Sequence, residues 1–214
     1  PVSDVGNRNL TTDPDPKEVI NQMKKERQRR DLQTKFNVTR AEQSPDELII
    51  DGYFALYENE TELWEGSYEI ITKGAFDGTL GNDIRALWNH NSQFVLGRSK
   101  VGTLELKTDD KGLFASVRLP NTQYARDLYE LVNRGDVDQC SFGFNILAED
   151  LEELASGGYR WRINEIDLHE VSVVTFPAYE NTSVAARSKE VADMKKRKLE
   201  EKRSSLKKRM EDLT

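Results

Sequence analysis

Gln139-Cys140-Ser141-Phe142-Gly143-Phe144-Asn145 alternates in character from residue to residue. On a strand this sends Cys140, Phe142 and Phe144 to one face and Ser141, Gly143 and Asn145 to the other. The aromatic face belongs in a core, so Ser141 looks away from it. Gly143 beside the serine either leaves room for a substrate backbone or marks a bulge. Outward from this strand, short apolar stretches broken by turn residues recur at 48–57, 68–71, 84–88, 101–106, 113–119 and 159–176, which read as further strands. The stretches 101–106 and 113–119 form a hairpin, because Leu104 and Leu106 alternate with charged neighbours and so do Leu113, Ala115 and Val117.

A helix interrupts the strands at 123–133. Asn121 or Thr122 caps it, Leu128, Leu131 and Val132 with Tyr124 or Ala125 make its apolar stripe, and Gly135 ends it. A shorter helical turn follows Thr72 around Ala75, Phe76 and Leu80. The expected fold is mainly β with inserted helices (α+β). Seven antiparallel strands suit a small β-barrel, which leaves few exposed edges.

Charge divides the chain of 214 residues into three parts. Residues 1–40 carry nine basic and six acidic side chains, and 188–214 carry ten and six, whereas 41–187 carry 12 and 26. Such asymmetry implies basic arms around an acidic domain at 41–187, which argues against nucleic acid as its partner. A helix is expected over 17–32 in the first arm, with Asp15 and Pro16 at its start. The tail from Lys189 onward is also read as helical; Leu199, Leu206 and Leu213 recur every seven residues, a spacing compatible with a homo-oligomer. No apolar run approaches the roughly 18 residues of a membrane span, so a soluble, non-secreted protein without a membrane partner is expected. One cysteine excludes an intrachain disulfide, and with two histidines it gives no structural zinc site; no metal or cofactor is expected.

Chemistry concentrates in three segments. Trp88-Asn89-His90-Asn91 follows an apolar stretch, placing a histidine between amides at a strand end, where it suits acid and base work near neutral pH. Taken alone, it equally fits a structural or merely exposed role. Ser141 supplies a hydroxyl. Ile166-Asp167-Leu168-His169-Glu170-Val171-Ser172-Val173 offers a base and an acid on adjacent positions. Strict alternation groups Glu170 with Ile166, Leu168 and Ser172, and His169 with Asp167, Val171 and Val173, so only one of the two faces Ser141. These are the ingredients of a serine nucleophile, an imidazole base and an orienting acid.

The run from about Gly52 to Ala178, roughly 125 residues, resembles the prohead maturation proteases of HK97-type tailed bacteriophages, which are related in fold to the herpesvirus assembly protease. The resemblance rests on ordered features: Lys73-Gly74-Ala75-Phe76, Trp88-Asn89-His90, Leu96-Gly97-Arg98, Gly102-Thr103-Leu104, Asp110-Lys111-Gly112-Leu113, Val132-Asn133-Arg134-Gly135, Ser141-Phe142-Gly143-Phe144, and Glu170-Val171-Ser172-Val173-Val174 with Pro177-Ala178. It implies a serine endopeptidase with His90 as general base and Ser141 as nucleophile. Glu170 stands in the register of the third member, with His169 as runner-up and Asp167 as a further candidate. The herpesvirus enzymes follow that strand with an arginine pair at the oxyanion site; no arginine lies between Arg162 and Arg187, which leaves the oxyanion donors unassigned. The implied substrates are the major capsid protein and scaffold, and the chain itself. The implied location is the assembling prohead in the cytoplasm of the infected bacterial host. The alternative is a non-catalytic assembly module of the same fold that docks on capsid or scaffold protein.

Overall fold

A computed structural model describes residues 27–41, 44–176 and 181–211. Among the described residues, eleven strands and two α-helices follow one another as β1 (Gln28–Gln33), β2 (Asn37–Ala41), β3 (Ser44–Leu56), β4 (Thr61–Trp64), β5 (Ser67–Ile71), β6 (Arg85–Trp88), β7 (Asn91–Arg98), β8 (Leu104–Thr108), β9 (Gly112–Arg118), α1 (Gln123–Arg134), β10 (Gln139–Glu153), β11 (Tyr159–Val174) and α2 (Asn181–Glu211). Contacts divide the chain into a unit spanning Lys24–Val184 and a second unit formed by the terminal segments, of which α2 is the described part.

The long hairpin β10–β11 is the spine of the first unit. It lies in a seven-stranded sheet of order β1-β10-β11-β5-β4, with β6 also paired to β11 and β7 to β6. The remaining strands form a four-stranded sheet, β2-β3-β9-β8. Ile50 and Phe54 of β3, Leu113 and Val117 of β9, Phe142 and Phe144 of β10, Val171 and Val173 of β11 and Leu128 of α1 share one buried cluster, so the two sheets and the helix enclose a common core. Apolar side chains recurring at Ala125, Leu128, Tyr129 and Val132 give α1 its buried face. Gly135 ends the helix in the left-handed conformation, donating its N–H to the Leu131 and Val132 carbonyls.

The structure differs from several expectations. The described strands form two sheets with no hydrogen-bonded path between them rather than a closed barrel. Two pairings are parallel: β5 against Tyr159–Ile163 and β6 against Glu170–Val173 of β11. The 16 residues of β11 are long enough to hold two short strands end to end on one edge. The helix expected over 17–32 does not reach its end, because Gln28–Gln33 is a strand; residues 17–26 lie outside the described residues. The boundary at 41 falls within a sheet, since β2 pairs with β3, and Leu32, Phe36 and Val38 pack on the core. The segment after Thr72 is a series of four-residue turns, closed by Ala75 N–H to the Thr72 carbonyl, Asp77 to Gly74 and Thr79 to Phe76, rather than a helix. The tail is helical from Asn181, earlier than expected, and Leu199 and Leu206 are half exposed on it; Leu213 lies outside the described residues.

Candidate active site

Ser141 sits opposite Ser172 across the β10–β11 ladder and opposite Asp31 on β1. Two residues along, Gly143 faces Glu170 on one side and Arg29 on the other. Side chains directly opposite share a face. One face of the sheet therefore carries Arg29, Asp31, Ser141, Glu170 and Ser172, while Cys140, Phe142, Val171 and Val173 of the other face enter the core.

A hairpin turn delivers the histidine. Trp88 pairs with Asn91, leaving Asn89 and His90 as the two loop residues, with φ of 52° and 57°. Both are left-handed, as a type I′ hairpin turn requires, and Asn and His tolerate that conformation better than most residues. Asn89 fixes the turn to the end of β11. Its N–H donates to the Val173 carbonyl at 2.9 Å, its Oδ1 accepts from the Thr175 N–H at 2.8 Å and its Nδ2 donates to Thr175 Oγ1 at 3.3 Å.

So held, His90 Nδ1 lies 2.8 Å from Glu170 Oε1, with both side chains more than nine-tenths buried. The carboxylate accepts from Nδ1–H, which leaves Nε2 as the basic nitrogen. Burial pushes the Glu170 carboxyl up, but the His90 hydrogen bond and charge, with the guanidiniums of Arg29 and Arg27, outweigh it and hold the group below its ordinary value. Arg29 Nε stands 3.9 Å from Glu170 Oε1.

His90 Nε2, Ser141 Oγ, Ser172 Oγ and Glu170 Oε2, all at this face, are buried without a hydrogen-bond partner. Buried polar atoms in that state are costly and rare outside functional sites. Ser141 itself is 0% exposed, and no hydrogen bond joins it to His90.

Strict alternation misplaced His169. Gly143 pairs with Glu170 but Phe144 with Leu168, so His169 is an extra residue in β11, a β-bulge. The bulge lets Leu168 and Val171, an odd number of residues apart, both enter the core. It also brings His169 to the Ser141 side, where its Nε2 donates to Asn145 Oδ1 and lies 3.8 Å from Asp167 Oδ2. Asp167 in turn accepts from Asn82 Nδ2 at 2.8 Å. Neither runner-up touches His90. Gly143 also differs from expectation, since the space beside it holds Glu170; a β-carbon there would meet Glu170 Cγ and Oε1 at 2.8 Å. Ser172 was missed as a site neighbour because only the register shows it beside Ser141. Cys140 is buried, and desolvation, aided by Asp31, pushes its thiol well above the ordinary value, so it stays protonated. Among the described residues no group of three His, Cys, Asp or Glu could hold a metal ion, and no helix is long and apolar enough to cross a membrane.

Residues 34–197 match the caudovirus prohead serine protease family. The chain belongs to this family. Among prohead proteases, that of Enterobacteria phage HK97 is 31% identical over 141 residues, which is 64% of this chain and 59% of the relative. The chain thus aligns with about three fifths of that protein. A solved structure, the bacteriophage T4 capsid assembly protease gp21, aligns with a TM-score of 0.44 and 13% identity, covering 70% of this chain and 98% of that one.

Proposed function

We propose that this protein is a serine endopeptidase that cleaves capsid or scaffolding protein within an assembling phage prohead in the host cytoplasm, and also its own chain. The observation that carries this reading is the buried His90 Nδ1 to Glu170 Oε1 hydrogen bond, formed on the sheet face that carries Ser141. Ser141 is the nucleophile, His90 the general base and Glu170 the orienting acid. Ser141 Oγ attacks the scissile carbonyl as its proton passes to His90 Nε2, and the Glu170 carboxylate steadies the imidazolium that forms. The imidazolium then gives its proton to the leaving amine. Water, deprotonated by the same imidazole, releases the acyl group and restores the serine. The unpartnered Nε2 and Oγ are the two atoms that this transfer joins, and such bonds commonly tighten only when substrate is bound.

Co-expression with the major capsid protein of the same phage tests the reading. Ser141→Ala and His90→Ala are each expected to abolish cleavage while the protein still folds, Ser141→Ala with a melting temperature near wild type, since members of one nucleophilic unit fail together. Unchanged cleavage products in Ser141→Ala would instead favour a non-catalytic assembly module.

A further inference from the structure

Strand β1 lies on the outer edge of β10, antiparallel, with Asp31 opposite Ser141 and Arg29 opposite Gly143. Among the described strands it is the end strand of its sheet, and the backbone groups it occupies are those that an extended peptide would need in order to reach Ser141. The composition of β1 is unusual for such a position. Its sequence QRRDLQ holds one apolar side chain, Leu32, and only Gln28 is buried, with the rest half-buried or exposed. Apart from Leu32, which packs on the core, its ties are polar. Arg30 forms a forked ion pair with the buried Glu69 of β5, its Nη2 donating at 2.8 Å to Oε2, and the guanidinium lies 5.6 Å from the Phe144 ring centre. At the far end Gln33 Nε2 donates to Asp138 Oδ2 at 3.0 Å. Beyond it, Phe36 packs on Phe54 with ring centres 5.7 Å apart, so the chain is anchored again just after the strand.

We infer that β1 holds the place of the substrate: it must swing off the β10 edge before an extended peptide can pair there, antiparallel, with its scissile residue beside Ser141. This rests on Ser141 being the nucleophile. A replacing segment meets the buried Glu69 carboxylate that Arg30 now answers, and a cation in the same place would keep the forked pairing that Arg30 makes. The edge therefore takes a peptide with Arg or Lys in the register of Arg30. The fully buried Ser141 is the closed state of this device.

Two measurements on the full chain decide it. In native hydrogen exchange, the amides of Gln28–Gln33 are expected to exchange at least about a hundredfold faster than those of β5 and β11, through an opening that leaves the core intact. Equal protection would mean that β1 leaves only on global unfolding, and the inference falls whatever the serine does. In the second, Leu32→Cys sets a thiol opposite Cys140, and paired strand residues lie within the span of a disulfide. The oxidised variant, its cross-link verified by intact mass, is expected to cleave purified capsid protein at least about tenfold more slowly than the same protein after reduction. A locked protein that cleaves as fast as the reduced one overturns the inference. A reduced, wild-type-like protein that never cleaves speaks against the serine protease instead, and the exchange result still decides the strand.

Discussion

At the residue scale the site turns on which acid serves His90. Glu170→Gln keeps the shape of the side chain but removes the charge that fixes the tautomer, so peptide turnover should fall on the order of 10³-fold to 10⁴-fold. His169→Gln should leave turnover within about twofold, because its partners are Asn145 and Asp167 rather than His90. The reverse order in a pair of turnover assays would move the orienting role to His169. Gly143→Ala probes the same carboxylate from behind. Its methyl group needs the space occupied by Glu170 and would push the acid off His90, for an expected loss of about a hundredfold in turnover with the two sheets intact. Retained activity in that variant would show that the Glu170 contact does not matter. His90, Ser141 and Glu170 could be singled out as candidates from motif order and register, and the structure brings His90 and Glu170 into hydrogen-bond contact. The placement of His169 could not be read from the sequence, since one extra residue in a strand breaks the alternation without leaving any mark in its composition.

The β6–β7 hairpin shows what an element contributes. Asp83, just before β6, braces it by accepting from Arg98 Nε at 2.7 Å and Nη2 at 2.6 Å and from Arg85 Nη2 at 3.2 Å. The Arg98 hydrogen bonds lead, with the charges of Arg85, Arg98 and Lys100 adding to them and partial burial opposing, and the carboxyl falls to about 2. A depressed acid stabilises the fold above its unfolded value of roughly 4, and that stability is lost as pH falls through the folded value. Asp83→Asn should therefore melt lower than wild type at pH 6, with the gap closing between about pH 4 and pH 2. A gap independent of pH would remove Asp83 from the account. Strands with clean alternation, such as β8 and β9, were legible in the sequence. β1 and β7 were not: QRRDLQ has a single apolar residue and NSQFVLGR has no regular period, and both are strands because a neighbour supplies the backbone partners.

For the whole molecule, the sequence marks the acidic body and the basic ends but not where the body begins. Charge changes sign near residue 41, whereas the sheets reach back to Gln28. Polypeptides of residues 24–184 and 41–187 should accordingly behave differently. The first keeps all eleven strands and should melt cooperatively, while the second loses β1 and most of β2, together with the packing of Leu32, Phe36 and Val38, and should melt lower or not at all. Similar melting curves would place both strands outside the folding unit. The sheet order has a further consequence for synthesis. Among the described strands β11 is the last made, yet it joins β10 to β5 and β6, whose paired residues lie more than 80 positions upstream. Pairings over such a span form late and slowly. A chain still on the ribosome thus carries its histidine and serine without the strand that brings in the acid and bridges them. On the proposed mechanism, the His90–Glu170 pair can form only once translation has passed Val174, so newly made neighbours meet no competent site before then.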